Sequence, residues 1–136
     1  RKVDILLIND EEAVELTGIH DIYKAGLSLL KEGPKHIIIK KGGSGSLIIS
    51  DHDQISIPAI PEIDVFDPTG AGDSFAGGFL GYLSANHNSD IVNAVLYGTA
   101  IASYTVSGFG IEGIEKIGLH NIKNRIKLLN DLIKEF

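Results

Sequence analysis

A layered α/β fold, with helices packed on one open sheet, is predicted by three observations on this 136-residue sequence. Apolar runs alternate with helical patterns as far as Lys40, which is typical of a sheet covered by helices. Two further apolar runs follow across tight turns, as in antiparallel hairpins. Helical patterns rich in glycine and alanine occupy the C-terminal half. The length and composition favour a single domain with one hydrophobic core.

The first two elements are predicted to be a strand and a short helix. Residues 3–8 form an apolar, β-branched run typical of a buried strand. Asn9 follows as a good N-cap for a helix that begins at Asp10 and continues to Leu16. Gly18 then ends this helix.

A second helix is predicted over residues 21–32, where apolar side chains recur with helical spacing. The face expected to be buried consists of Ile22, Ala25, Leu29 and Leu30. Gly33 and Pro34 prevent the helix from continuing.

Three strands are predicted in the middle of the chain. Residues 36–40 and 46–50 are apolar runs, and residues 42–45 form a glycine turn between them. After a polar turn at residues 51–53, residues 54–58 alternate between polar and apolar side chains. This period of two predicts an antiparallel strand at the edge of the sheet.

The remaining elements are predicted to be helices. Residues 73–83 and 90–106 carry small residues that permit close approach of the two backbones, although each glycine costs about 1 kcal/mol of helix propensity. A last helix has one apolar stripe, formed by Leu119, Ile122, Ile126, Leu129 and Ile133. We interpret this stripe as a face that docks on the protein.

Composition argues against several classes of function. The net charge of -6 leaves no basic stripe for nucleic acid or for an anionic membrane surface. No apolar run approaches the roughly 20 residues of a membrane helix, so a cytoplasmic enzyme is expected. The absence of cysteine excludes disulfides and thiolate chemistry. Because the chain begins at Arg1 and lacks methionine, it is interpreted as a fragment or a processed product.

One glycine-rich segment carries most of the chemical information. Gly70, Ala71 and Gly72 leave the backbone bare immediately before a predicted helix, whose first N–H groups have no internal partners and attract anions. Asp73 follows directly. Its carboxylate could accept the proton of an attacking hydroxyl beside a bound phosphate. The alternative is an ordinary carboxylate at a helix N-terminus.

The segment Asp67-Pro-Thr-Gly-Ala-Gly-Asp-Ser-Phe75 resembles the C-terminal signature of the PfkB/ribokinase family of sugar and nucleoside kinases. The resemblance implies a three-layer αβα, Rossmann-like sheet of the ribokinase type. Residues 1–136 would form its C-terminal, nucleotide-binding and catalytic half, without the N-terminal portion that contacts the substrate and forms a lid. It also implies transfer of the γ-phosphoryl of ATP to a sugar or nucleoside hydroxyl, with Asp73 as base and Gly70 to Gly72 as the anion hole.

The same resemblance suggests two sites for metal ions. Asp67 and Thr69 match positions that organise a monovalent cation, such as K⁺, although turn formation and helix capping are alternatives. Residues 9–12, Asn-Asp-Glu-Glu, resemble the family's Asn-x-x-Glu motif. This implies that Asn9 and Glu12 help to place Mg²⁺ and phosphates, Glu12 acting on the metal indirectly. A simple capping arrangement is the alternative.

The resemblance implies further nucleotide contacts at three places. Lys41, Gly42 and Gly45 resemble a glycine turn that lies against the nucleotide, and a plain hairpin turn is the alternative. Tyr97 aligns with a helical position near the adenine where family members often carry Asn. Gly108 lies in a loop that borders the adenine and cation sites.

Other reactions find less support in the sequence. No Gly-Lys-Ser/Thr P-loop is present. The glycines at positions 108, 110 and 113 have the spacing of a dinucleotide fingerprint, but they come after a predicted helix, whereas that motif needs a preceding strand. Gly72-Asp73-Ser74 is similar to the start of some esterases, with Ser74 as nucleophile, but no histidine is suitably spaced after an aspartate. The five histidines are too scattered for a metal cluster.

Two functions stay open: a kinase, and a noncatalytic nucleotide-binding module or inactive fragment. We expect a small sugar or nucleoside as partner, and neither nucleic acid nor membrane. A second copy of the chain or the missing N-terminal half is also a candidate partner, since an incomplete sheet leaves an open edge.

Overall fold

The computed structural model of the protein describes residues 4–59, 71–86, 90–104, 123–128 and 131. The chain forms two compact units, Arg1–Ala59 and Ile60–Phe136. In its described residues, the first unit combines a sheet with two helices, whereas the second is helical. A mixed sheet accompanied by helices agrees with the α/β class that the sequence predicts.

The first unit alternates strands and helices before its hairpins. Its elements in chain order are β1 (Ile5–Asn9), α1 (Asp10–Thr17), α2 (Ile22–Leu30), β2 (His36–Lys40), a 3-10 turn (Gly42–Ser44), β3 (Ser46–Ser50) and β4 (Gln54–Ile57). The strands form one mixed sheet in the order β1-β2-β3-β4. β1 and β2 are parallel, while β2, β3 and β4 are joined as antiparallel neighbours.

The predicted strand at the sheet edge is confirmed in β4. Gln54 and Ser56 are exposed, whereas Ile55 is half-buried and Ile57 is buried. β4 is one of the two outer strands of the described sheet and is paired there only with β3. The alternation is therefore that of a strand with one covered face.

Both helices of the first unit start and stop close to their predicted positions. Gly18 ends α1 in the left-handed conformation, with φ of 71°, and its N–H donates to Val14 O. Asp21 caps α2, its Oδ1 accepting from Lys24 N at 3.0 Å. α2 ends two residues earlier than predicted, because Glu32 N donates to Leu29 O in a tighter turn that no longer follows α-helical spacing.

The core of the first unit is dominated by isoleucine from β2 and β3. Buried apolar residues that form this cluster are Ile8, Ala13, Ala25, Leu29, Ile37, Ile39 and Ile49. Ile22 and Leu30, also predicted to face the core, pack against it while partly buried. β-branched side chains suit this role because they pack well on a pleated sheet.

Gly26 is where α2 comes closest to the sheet. A Cβ atom added there would lie 2.2 Å from Ile49 Cδ1 and 3.3 Å from Ile39 Cδ1. Both isoleucine side chains are fully buried, so neither methyl group has open space to move into. Glycine at this position therefore lowers the helix propensity of α2 but permits its close packing on the sheet.

We expect Gly26→Ala to lower the free energy of unfolding by about 1–2 kcal/mol, since overpacking outweighs the propensity gain of about 1 kcal/mol. Urea unfolding measures the change. Ile49→Val removes the clashing methyl, so the double variant should recover part of the loss. A more stable single variant, or a double variant with additive losses, would contradict this packing.

The second unit contains two helices in close contact, α3 (Ala71–Ala85) and α4 (Ile91–Tyr104). A Cβ on Gly78 would lie 3.2 Å from Gly98 Cα, and a Cβ on Gly98 would lie 2.8 Å from Phe75 O. Main chain therefore faces main chain at the crossing. The predicted close approach of these helices is confirmed.

The predicted last helix is described only in part. Residues 123–128 are helical, with Ile126 buried and Leu128 41% exposed. The other members of its predicted stripe, Leu119, Ile122, Leu129 and Ile133, lie outside the described residues. Within the described parts of the chain, no helix is both long and apolar enough to cross a membrane.

Candidate active site

The start of α3 carries the carboxylate that the sequence singles out. α3 begins at Ala71, two residues before the predicted start, so that Ala71 and Gly72 belong to its first turn. Their N–H groups are among those that have no partner within the helix. Asp73 lies in the same turn, and its side chain is exposed.

This arrangement joins a helix end that attracts anions to a carboxylate that solvent can reach. The helix dipole and bare amides favour a phosphate at the first turn. An exposed carboxylate is available to a substrate, whereas a carboxylate fixed in a packing contact would not be. Gly70, Thr69 and Asp67, predicted to complete the anion hole and a cation site, lie outside the described residues.

The Asn9–Glu12 motif forms a capping box at the start of α1. Asn9 Oδ1 accepts from Glu12 N at 2.7 Å, and Asn9 N donates to Glu12 Oε1 at 3.0 Å. The capping alternative is therefore realised. The capping box engages the amide oxygen of Asn9 and one carboxylate oxygen of Glu12. The predicted role of the pair in magnesium binding stays a prediction.

The sheet register places the two predicted nucleotide motifs of the first unit along one edge of the sheet, the edge that is formed by the ends of the strands. Asn9 is the Cα partner of Lys40 in the parallel β1–β2 pair. Lys40 in turn faces Ser46 across the hairpin, and Ser46 faces Ile57. This edge is the carboxyl end of the parallel strands, where ligands bind in open α/β sheets. Asn9 and the turn that follows Lys40 therefore share the edge at which a ligand is expected.

Lys40 is a residue of this edge that sequence reasoning did not select. It is half-buried and engaged in interactions with the rest of the protein. Its register with Asn9 comes from the parallel pairing of strands that are separated by two helices. A basic residue at the end of a predicted strand, as at Lys40, is the signal that could have identified it.

The turn after β2 is a tight hairpin with two glycines at positive φ. Lys41 N donates to Gly45 O at 2.7 Å, and the chain between them makes a 3-10 turn. Gly42 has φ of 57° and Gly45 has φ of 94°. A Cβ on Gly45 would lie 2.1 Å from Ile57 O and 2.9 Å from Ala59 N. The hairpin alternative is thus realised, and contact with a nucleotide remains a prediction.

Tyr97 has a packing role in the structure. It is half-buried, and its ring lies 4.7 Å from that of Tyr82 at an angle of 33°. Tyr82 belongs to α3, so the two rings link the helix pair. The predicted adenine contact of Tyr97 is not tested by this packing, and Gly108 lies outside the described residues.

The described ranges contain no cluster of side chains that could bind a metal ion without other ligands. No group of three histidine, aspartate or glutamate side chains among them is placed to hold an ion. Mg²⁺ usually keeps several waters and is shared with substrate phosphates, so a site with few protein ligands fits its chemistry. The Asn9–Glu12 pair is compatible with such indirect binding.

Comparison with known proteins identifies relatives of one kind. Residues 1–116 match the family described as pfkB family carbohydrate kinase. The cytidine kinase of Thermococcus kodakarensis is 40% identical over 81 residues, which are 58% of this chain and 29% of that protein.

Two solved structures extend the similarity to the fold. Aminoimidazole riboside kinase from Salmonella enterica, complexed with aminoimidazole riboside and an ATP analog, is 26% identical with a TM-score of 0.77, over 91% of this chain and 42% of that one. An E. coli protein provisionally assigned as ribokinase II, in complex with ATP and Mg²⁺, is 28% identical with a TM-score of 0.76, over 93% and 40%.

The chain spans less than half the length of each of these relatives, between 29% and 42%. The family match nevertheless covers residues 1–116, most of the 136-residue chain. It includes both the Asn9–Glu12 motif and the segment that leads into Asp73. The chain belongs to the pfkB family of carbohydrate kinases.

Proposed function

We propose that this chain is the C-terminal, nucleotide-binding and catalytic half of a kinase that transfers the γ-phosphoryl of ATP to a hydroxyl of a sugar or nucleoside. The observation that carries the proposal is the exposed Asp73 carboxylate in the first turn of α3, beside the amides of Ala71 and Gly72. The relatives support the acceptor class, since one is a cytidine kinase and another is complexed with a riboside.

In this mechanism Asp73 accepts the proton of the acceptor hydroxyl. The oxygen forms a bond to the γ-phosphorus while the bond from that phosphorus to the β–γ bridging oxygen breaks, and ADP leaves. Charge on the transferring group is stabilised by the N–H groups of Gly70, Ala71 and Gly72 and by the dipole of α3. Positioning and electrostatics supply most of the catalysis in such a reaction.

Asn9 and Glu12 are proposed to help place Mg²⁺ and the phosphates. When bound, Mg²⁺ neutralises charge on the β- and γ-phosphate oxygens. Glu12 Oε1 is engaged by Asn9 N, so the other carboxylate oxygen of Glu12 would be the one to help hold the ion indirectly. The motif then combines capping with metal placement, and neither role excludes the other.

Glu12→Gln separates these two roles, because glutamine also serves in a capping box but carries no charge. We expect the free energy of unfolding to change by less than about 0.5 kcal/mol. The Mg²⁺ concentration needed for half-maximal activity should rise about 10-fold, as for loss of an indirect metal partner. Titration of Mg²⁺ at saturating ATP measures it. An unchanged Mg²⁺ requirement would leave Glu12 as a cap only.

The other predicted nucleotide and cation contacts remain proposals. Lys41, Gly42 and Gly45 would lie against the nucleotide from the hairpin turn, while Tyr97 and Gly108 would border the adenine. Asp67 and Thr69 would bind a monovalent cation such as K⁺. Activity measured with K⁺ replaced by a bulky organic cation tests that last assignment.

A noncatalytic nucleotide-binding module, or an inactive fragment, is the alternative function. The bare amides at the start of α3 would bind phosphate in either case. Calorimetry with ATP and Mg²⁺ tests binding, and a phosphoryl-transfer assay with a panel of sugars and nucleosides tests catalysis. Turnover by the complete enzyme supports the kinase; binding without turnover on any acceptor supports the module. We expect little catalysis from the 136 residues alone.

A further inference from the structure

Gly98 lies in the middle of α4, at the point where this helix meets α3, and it is buried. The three atoms nearest to a Cβ atom added there all belong to Phe75 of α3, which is itself 4% exposed. They are Phe75 O at 2.8 Å and the ring atoms Cδ2 and Cε2 at 3.1 and 3.2 Å. The absence of a side chain at Gly98 therefore sets how closely Phe75 approaches α4.

This contact acts on the main chain of α3. A side-chain end could relieve crowding by changing rotamer. Phe75 O, however, is part of a helical peptide unit and moves only together with the peptide units hydrogen-bonded to it. Ordinary van der Waals contact begins at 3.4 Å. An alanine at position 98 would therefore force the main chain of α3 away from α4 by several tenths of an ångström.

Phe75 follows Asp73 by only two positions in α3. Two positions correspond to about 200° around a helix, so the two side chains project from nearly opposite sides. The burial of Phe75 and the exposure of Asp73 agree with this placement. Main chain that is pushed away from α4 at Phe75 therefore carries Asp73 outward.

We infer that Gly98 is a positioning residue for the carboxylate of Asp73, which it places by letting α4 lie directly against Phe75. The inference rests on the proposed function, in which Asp73 accepts the proton of the acceptor hydroxyl. Gly98 touches no substrate in this scheme. A base acts only within hydrogen-bond reach of the proton, and a misplacement of about 1 Å can slow a reaction about 10²-fold.

The test is the rate of phosphoryl transfer by Gly98→Ala in the complete enzyme. We expect kcat to fall about 10-fold or more. Affinity for ATP, measured by calorimetry, should stay within about threefold, because Asp73 does not bind the nucleotide in this scheme. Gly81→Ala is the matched control, since a Cβ on this later residue of α3 would meet nothing within 4 Å. It should leave kcat within about twofold of wild type.

A double variant distinguishes the placement of Asp73 from a general loss of structure. In an Asp73→Asn enzyme the carboxylate is already absent, so adding Gly98→Ala should slow transfer of radiolabelled phosphate by less than about threefold. If Gly98→Ala only reduced the folded fraction, the two losses would multiply. Multiplying losses would overturn the positioning role.

Phe75→Leu loosens the same contact from the side of α3 if Gly98→Ala folds poorly. Leucine remains apolar but removes the ring that lies against Gly98. We expect kcat to fall about threefold or more, again with little further loss when Asp73 is already asparagine. Gly26→Ala, which crowds the core of the first unit instead, should lower Tm without lowering kcat.

The outcomes separate this inference from the proposed function. Gly98→Ala and Phe75→Leu enzymes with a lower Tm and unchanged kcat would leave a purely structural contact and overturn the positioning role. A wild-type enzyme that transfers no phosphoryl group to any acceptor, or an Asp73→Asn enzyme with full activity, would instead refute the proposed function, and the positioning role with it.

Discussion

An Asp73→Asn variant of the complete enzyme should turn over about 10²–10⁴ times more slowly than wild type, while its affinity for ATP changes little. Asparagine keeps the size and the exposed position of the side chain but cannot accept the hydroxyl proton. The amides of Ala71 and Gly72 remain in place for the phosphate. Steady-state kinetics with the preferred acceptor, together with calorimetry for ATP, measures both quantities.

Asp21→Asn is a suitable control, since Asp21 is also an exposed carboxylate at the start of a helix, where its Oδ1 accepts from Lys24 N. Asparagine caps a helix about as well as aspartate, so activity and stability should both be retained. If Asp73 were only a helix-end carboxylate, its replacement would cost about 0.3–1 kcal/mol of stability and leave kcat unchanged. Such a result would refute its role as a base.

Gly45→Ala should unfold the first unit or destabilise it by more than about 3 kcal/mol. Two costs combine: φ of 94° is unfavourable for alanine, and the new Cβ would lie 2.1 Å from Ile57 O. That oxygen belongs to the backbone of β4, so relief requires the strand to move away from β3. Circular dichroism and urea unfolding of the 136-residue chain would detect the loss.

Gly42→Ala in the same turn isolates the free-energy cost of the left-handed backbone conformation. Gly42 also has positive φ, of 57°, but a Cβ there would meet nothing within 4 Å. We expect a loss of only about 1–2 kcal/mol, the usual cost of the left-handed conformation. Equal losses for the two variants would mean that crowding against Ile57 contributes little.

Local patterns were sufficient to predict most elements of the fold. Gly18 ends α1 as expected because a left-handed residue is a property of its own backbone. The alternation in β4 likewise needs only the period of a strand with one covered face. The start of α3 was placed two residues late because Gly72, in its first turn, has a low helix propensity and is easily assigned to the preceding turn.

Relations between elements were harder to derive. The pairing of Asn9 with Lys40 depends on which strands become neighbours, and two helices separate them in sequence. The contact of Tyr97 with Tyr82 depends on the rotation of α4 against α3, which the motif around Asp73 does not specify. For Asn9 and Glu12, one spacing is typical both of a capping box and of the family's Asn-x-x-Glu motif, so sequence alone leaves both roles open.

The glycine contact between α3 and α4 has a mechanical consequence. Gly78 and Gly98 bring the two backbones close together, and the side chains of Ile101 on α4 and Phe75 on α3 lie directly beside this contact. A small tilt of α3 would therefore be transmitted to α4 through this direct contact. The two helices would move as one unit, from the first turn of α3, which carries Asp73, to the last turn of α4.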